Sequence, residues 1–120
     1  MIYTSYFAVL KKLPETVVPI AICAKSPEWY DGYTYTKLAP PYSIFKEYKD
    51  HGDKDIYTTR FKEEILSNLD PSRVVSELYR FSNDSDVALL CYEKPTDFCH
   101  RHLVAEWLRE YGYRCQEFQW

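Results

Sequence analysis

The strongest constraint on the fold lies near the carboxyl end of the chain, where an apolar run precedes an amphipathic pattern. Residues 86–92 read Asp-Val-Ala-Leu-Leu-Cys-Tyr, and such a continuous apolar run is typical of a central strand covered on both faces. After a turn at Pro95, apolar residues recur three and four positions apart over residues 98–111, which predicts a helix. A buried strand leading into a helix is a building unit of α/β sheets.

The rest of the chain repeats this alternation of strands and helices. Apolar or β-branched runs predict further strands at residues 2–7, 17–24 and 114–120, and periodic runs predict helices at 8–13, 42–49, 57–69 and from 71 onward. Residues 26–41 are rich in proline and aromatic side chains and predict a long ordered loop. The pattern therefore predicts one α/β domain over residues 1–120, with three layers and a mainly parallel sheet of about four strands flanked by helices.

Composition excludes several classes of protein. The net charge is −3, and basic residues form no cluster, so the chain lacks the strong basic patch of a protein that binds duplex nucleic acid. A local basic pocket that binds nucleic acid is still compatible with this composition. No apolar run approaches the length that crosses a bilayer, so we expect no membrane partner. The first residues show no export pattern, so we expect a cytoplasmic protein whose four cysteines are reduced.

Three strand ends are expected to meet at one edge of the sheet. In open parallel sheets, ligands bind beyond the carboxyl ends of the strands. The first end offers Tyr6. The second offers Lys25 and continues into the aromatic loop with Trp29 and Tyr30, and the third offers Cys91. We therefore expect Tyr6, Lys25, Trp29 and Tyr30 to line a ligand site at this edge.

The turn after the third strand carries most of the predicted chemistry. Cys99, His100 and Arg101 fall in the first turn of the predicted helix, and a helix N-terminus attracts anions. Arg101 suits bidentate anion binding, and Glu93 and Lys94 in the same turn are further ligand-binding candidates. His100 is the candidate acid or base, and Cys99 or Cys91 would supply a thiol. The helix position predicts a lowered pKa for Cys99.

Other interpretations of the same residues are less specific. Cys91 and His100 also fit a plain buried core. Metal-ligand types are present, but the spacing C-x7-C-H-x-H matches no common zinc framework. His100 and His102 diverge on a helix, with His102 expected to face solvent. With only 3 glycines there is no phosphate loop. We therefore predict neither a metal nor a cofactor.

Residues 88–108 carry a family resemblance. The run contains a small apolar strand, Cys91, an acidic-basic pair at Glu93 and Lys94, a short loop, the motif Cys99-His100-Arg101 and then Ala-Glu-Trp-Leu. This resembles the signature of the domain-of-unknown-function family 488, and the similarity covers about residues 17–112. It implies a compact α/β fold and a prokaryotic or phage origin, and it implies no established activity. The chain departs from the family at its start, where Tyr3-Thr-Ser-Tyr6 replaces a glycine-containing segment.

Three functional hypotheses follow from these residues. The leading one is a small cytoplasmic enzyme or ligand-binding domain for an anionic ligand, such as a nucleotide or a nucleic-acid base, held at the Cys-His-Arg turn. The alternative is a non-enzymatic interaction protein with a protein partner, for example a regulator or a phage-borne inhibitor of a host system. The third is structural: the turn only ties the helix to its loop.

Overall fold

In the computed structural model, which describes residues 1–119, the chain builds one sheet in which every strand pairing is parallel. The strands are β1 (Ile2–Tyr6), β2 (Val17–Ala21), β3 (Tyr33–Thr34), β4 (Asp86–Cys91) and β5 (Cys115–Glu117), in the order β3-β2-β4-β1-β5. The predicted α/β class is confirmed. The sheet of residues 1–119 has five strands where about four were predicted, because the segment predicted as a loop contains the short strand β3.

Strand β4 occupies the centre of the sheet, as its apolar sequence predicts. It pairs with β1 along its whole length on one side and with β2 on the other. The four residues from Val87 to Leu90 are completely buried. Cys91, the last residue of β4, is therefore delivered to the middle of the sheet's carboxyl edge.

The two faces of the sheet are covered differently. The helices α1 (Tyr42–His51), α2 (Lys54–Glu64), α3 (Pro71–Ser82) and α4 (His100–Glu110) all contribute to a large core with Val87 and Leu89. Ala88 and Leu90 point to a smaller core under the 3-10 helix Phe7–Lys12. Because side chains alternate along a strand, Cys91 faces the α-helices. None of the helices within residues 1–119 is long and apolar enough to span a membrane.

Pro19 lies in the middle of β2 without breaking the sheet. The C=O of Ala21 points away from β4 and accepts a hydrogen bond from the backbone N–H of Tyr35 at 2.8 Å. Pro19, two residues earlier, has the same outward direction, and its C=O accepts from the hydroxyl of Tyr30 at 3.2 Å. Strand β3 pairs only with the last two residues of β2, so the missing N–H of proline interrupts no pairing.

Several element boundaries differ from the predicted ones. The helix predicted at 57–69 begins at Lys54 because Asp53 caps it, and it ends at Glu64, followed by the 3-10 turn Leu66–Asn68. Helix α4 begins at His100, so Cys99 is its N-cap residue and lies outside the first turn. The predicted edge strand is reduced to β5, and Trp120 lies outside the described residues.

Replacing Leu89 by alanine tests whether β4 is the centre of the core. Leu89 is completely buried, so we expect Leu89→Ala to lower the free energy of unfolding by about 2–5 kcal/mol. Urea denaturation measures the loss. Ile56→Ala is the matched control, because Ile56 is 44% exposed on α2 and should lose far less. Equal losses in the two variants would contradict the assignment.

Candidate functional site

A cavity of about 580 Å³ lies beyond the carboxyl ends of β2 and β4 and opens to solvent. Its size is that of a small-molecule site. The position agrees with the predicted edge of the sheet, although the loop before α1 and the helices α1 and α2 also build the walls. Aromatic side chains form much of its lining: Tyr42, Phe45, Tyr48, Tyr57, Tyr92 and Phe98.

Helix α1 places three of these aromatics along one side. Tyr42, Phe45 and Tyr48 are spaced three residues apart and so project in similar directions. Tyr42 is 73% exposed and Phe45 50% exposed, which is unusual for large aromatic side chains on a helix. Deeper in the cavity, the ring of Phe98 packs against Tyr48 and Tyr57 with centroids 5.2 and 5.0 Å apart. The inner wall is therefore a fixed aromatic cluster.

The floor of the cavity is formed by Cys91, Cys99 and His100. The Nδ1 atom of His100 lies 4.0 Å from Sγ of Cys91 and 3.9 Å from Sγ of Cys99. All three side chains are almost completely buried in the protein, yet each contributes to the lining of the cavity. The structure thus brings together the three residues that the sequence predicts as catalytic. In the sequence they span only residues 91–100.

A hydrogen bond on the side away from the thiols fixes the orientation of the His100 ring. Its Nε2 atom lies 2.7 Å from the backbone oxygen of Ile22, beyond the end of β2. A carbonyl oxygen only accepts hydrogen bonds, so Nε2 carries the hydrogen and donates it. In the neutral ring, Nδ1 then holds the free lone pair and presents it to the two thiols.

The two thiols on the floor are not equivalent. A hydrogen bond with Cys91, and then burial, raise the pKa of Cys99 far above that of an ordinary thiol. The prediction that the helix N-terminus lowers this pKa is wrong, because burial and the neighbouring sulfur outweigh the dipole. Cys99 therefore keeps its proton. The sulfur of Cys91, by contrast, also receives an N–H from Arg101 at 3.9 Å.

Arg101 is completely buried and lies behind this floor instead of in the cavity. Its Nε and Nη2 atoms donate to the two carboxylate oxygens of Glu117 at 3.2 and 3.0 Å. Its Nη1 donates to the backbone oxygen of Glu93 at 2.7 Å. Burial lowers the pKa of the guanidinium, but the hydrogen bonds to Glu117 together with the negative charges that Cys91, Cys99 and Glu117 can carry outweigh it and raise the pKa, so Arg101 stays charged.

This bonding changes the interpretation of Arg101. The sequence predicts that Arg101 binds an anionic ligand. In the structure its N–H groups point to the carboxylate of Glu117, the backbone oxygen of Glu93 and the sulfur of Cys91. Tyr6, predicted to line the ligand site, lies beneath it, with the guanidinium carbon 5.7 Å from the ring centroid. Arg101 therefore positions the start of α4 and places a positive charge near Cys91.

The other predicted ligand-binding residues divide into two groups. Lys25 and Glu93 lie on the rim of the cavity. Lys94 is exposed and does not line it. Trp29 and Tyr30 pack edge-on against Phe7 on the opposite face of the sheet, because the aromatic loop folds over the smaller core.

His102 and the aromatic wall were misjudged from sequence. His102, expected to face solvent, is half-buried, and its Nε2 has no hydrogen-bond partner within residues 1–119. Tyr48 and Tyr57 both lie within residues 46–64, where charges of both signs alternate in a way that is typical of a solvated helical surface. The signal that could have found the wall is the i, i+3, i+6 spacing of Tyr42, Phe45 and Tyr48 in such a polar helix.

The arrangement supports two kinds of chemistry. A thiol beside the free lone pair of a histidine can form a nucleophilic thiolate. The same two sulfurs and Nδ1, all within 4.8 Å of one another, are also suitable donors for a thiophilic metal ion. Within residues 1–119 this is the one grouping of three such metal-ligand side chains.

Comparison with known proteins identified one family. The family model DUF488-N3a, described as "Active DUF488-N3 subclade", matches residues 12–112. This range contains the whole floor of the cavity and both helices of its wall. No curated protein and no solved structure matched the chain significantly.

We expect Arg101→Ala to lower the free energy of unfolding by about 3–5 kcal/mol, because it leaves the largely buried carboxylate of Glu117 without its cation. Urea denaturation measures the change. Arg60→Ala is the matched control, because Arg60 also pairs with two carboxylates but at the surface, and its effect should be far smaller. Equal effects would show that the buried pair contributes no special stability.

Proposed function

Because the chain belongs to the domain-of-unknown-function family 488, and because its cavity combines an aromatic wall with a thiol and imidazole floor, we propose that it is a small thiol-dependent enzyme. Its substrate is a planar heteroaromatic compound of the nucleobase class, free or as a nucleoside or nucleotide. Cys91 is the nucleophile and His100 the base. The description of the matching subclade as active is in keeping with a catalytic role.

One observation carries the proposal: the lone pair of His100 Nδ1 faces Cys91 at the bottom of an open cavity. A core histidine that serves only packing would have both nitrogens satisfied by fixed partners. Here Nε2 donates to the carbonyl of Ile22, while Nδ1 lies against the two thiols of Cys91 and Cys99. A nucleophile, its base and a group that orients the base form the pattern of covalent catalysis.

The walls favour a flat, aromatic ligand. Aromatic side chains stack on nucleobases at about 1–3 kcal/mol per base, and Tyr42, Phe45 and Tyr92 stand exposed around the opening. Lys25 is the one cation on the rim within residues 1–119 and would interact with a phosphate attached to the ring. The net charge of −3 disfavours a long nucleic-acid strand, so a free small molecule fits better.

The proposed step is covalent addition. The proton of Cys91 passes to Nδ1 of His100, and the sulfur electron pair forms a bond to an electron-poor ring carbon of the substrate. The electron pair of the ring double bond moves to a ring nitrogen or exocyclic oxygen, which takes the proton back from His100. Cys99 keeps its own proton and donates a hydrogen bond toward Cys91, while Arg101 stabilises the thiolate by its charge.

Alkylation of the thiols tests the chemistry of the floor. We expect iodoacetamide at neutral pH to modify Cys91 before the other cysteines, and His100→Gln to slow this by at least about tenfold because the base is lost. Peptide mass spectrometry gives the rate at each site. Cys115→Ser is the control and should leave the Cys91 rate unchanged, because Cys115 is buried elsewhere and burial raises its pKa to about 11. Earlier modification of Cys115 than of Cys91 would refute the assignment.

Thermal-shift titration tests the ligand class. We expect nucleobases, nucleosides or nucleotides to stabilise the protein while inorganic phosphate and ribose phosphate do not. Tyr42→Ala should weaken this binding about tenfold, since one stacking surface is lost. Tyr111→Ala, which removes an aromatic side chain 61% exposed at the far end of α4, should leave it unchanged. If no heteroaromatic compound stabilises the wild-type protein, the proposed substrate class is wrong.

A further inference from the structure

The three side chains on the floor of the cavity also have the arrangement of a metal site. We propose that Cys91 Sγ, Cys99 Sγ and His100 Nδ1 bind one Zn²⁺ ion, with the fourth coordination position open toward the aromatic cavity. The bound ion occupies the sulfur that the proposed reaction uses, so it protects Cys91 and holds the enzyme inactive until it is removed. The binding itself does not depend on which ligand the cavity takes.

The distances already approach those of a tetrahedral zinc centre. Zinc–sulfur bonds of about 2.3 Å and zinc–nitrogen bonds of about 2.0–2.1 Å at tetrahedral angles place a sulfur about 3.6 Å from the nitrogen and the two sulfurs about 3.8 Å apart. The nitrogen–sulfur distances are 4.0 and 3.9 Å, and all three atoms lie within 4.8 Å of one another. Shifts of up to about an ångström bring the three atoms to the separations that an ion requires.

The surroundings of the ligands resemble an outer shell prepared for a metal. A histidine that binds zinc through one ring nitrogen usually donates a hydrogen bond from the other, which fixes the ring. His100 does this through Nε2 to the backbone oxygen of Ile22. The N–H of Arg101 that points at Cys91 Sγ supplies a second such contact, to a sulfur that becomes negatively charged when it binds the ion.

The donor set selects zinc among the common divalent ions. Two thiolates and one imidazole suit a soft or borderline ion, whereas Mg²⁺ and Ca²⁺ require oxygen ligands. Binding converts two thiols to thiolates and releases two protons to solvent as two Zn–S bonds and one Zn–N bond form. The resulting centre has no net charge, which suits its buried position. Three protein ligands leave the fourth position for water or a ring nitrogen of a ligand.

Titration of the reduced, metal-free protein with Co²⁺ tests the site directly. Cobalt in a tetrahedral thiolate site gives intense visible bands and a sulfur-to-cobalt charge-transfer band. We expect one ion per chain, displaced by Zn²⁺, in the wild-type protein and in Cys115→Ser, the control thiol outside the cavity. Cys99→Ser should lose the charge-transfer intensity of one sulfur and bind at least about a hundredfold more weakly. Circular dichroism checks that both variants fold.

A second measurement needs no variant. Stoichiometric Zn²⁺ should stop alkylation of Cys91 in the wild-type protein, and a chelator should restore it. Cobalt spectra without sulfur charge transfer, equal affinity in Cys99→Ser and wild type, or unprotected Cys91 would each overturn the metal site. If zinc does not bind but Cys91 remains the fastest thiol, only the metal site fails. If zinc binds but no heteroaromatic compound does, only the proposed substrate class fails.

Discussion

The guanidinium of Arg101 lies inside the protein with none of its surface exposed, and Glu117 on β5 supplies the opposite charge. The same carboxylate accepts a hydrogen bond from the hydroxyl of Thr4 on β1. Since Arg101 also holds the backbone of Glu93, one side chain connects the start of α4, the edge of the sheet and the turn that leaves β4. The positions of Cys99 and His100 above Cys91 follow from this connection, because they immediately precede Arg101 on the same helix.

A buried ion pair adds little to the free energy of unfolding compared with an apolar pair of the same size, because the cost of desolvation cancels much of the attraction. Here the pair has a second consequence. It keeps a positively charged guanidinium within 3.9 Å of the Cys91 sulfur, while Glu117 supplies the compensating negative charge. An apolar replacement would break the links from α4 to Glu117 and to the backbone of Glu93, and it would leave the Cys91 sulfur without a neighbouring cation. An arginine at this position therefore serves both the attachment of the helix and the thiol chemistry that we propose for the floor.

The sequence predicts the frame of this site and misses its surroundings for identifiable reasons. The central position of β4 and the helix after it follow from apolar patterns that depend on local neighbours, as does the meeting of Cys91, Cys99 and His100 across one turn. The partner of Arg101 is 16 residues away on an edge strand, and no local pattern indicates that pairing. The aromatic wall was hidden because Tyr48 and Tyr57 lie among alternating charges, and the loop with Trp29 and Tyr30 turns to the opposite face of the sheet.

Thiol chemistry and metal binding at this floor depend on the same structural cause. The carbonyl of Ile22 fixes the hydrogen of the neutral His100 ring on Nε2, so the Nδ1 lone pair of that tautomer faces whatever the sulfurs hold. When that is a proton, the imidazole acts as its acceptor. When it is a metal ion, the imidazole becomes the third ligand. A cavity wide enough for a small aromatic molecule is also wide enough for a hydrated ion, so the active and the protected state that we propose differ in whether the two sulfurs carry protons or bind one metal ion.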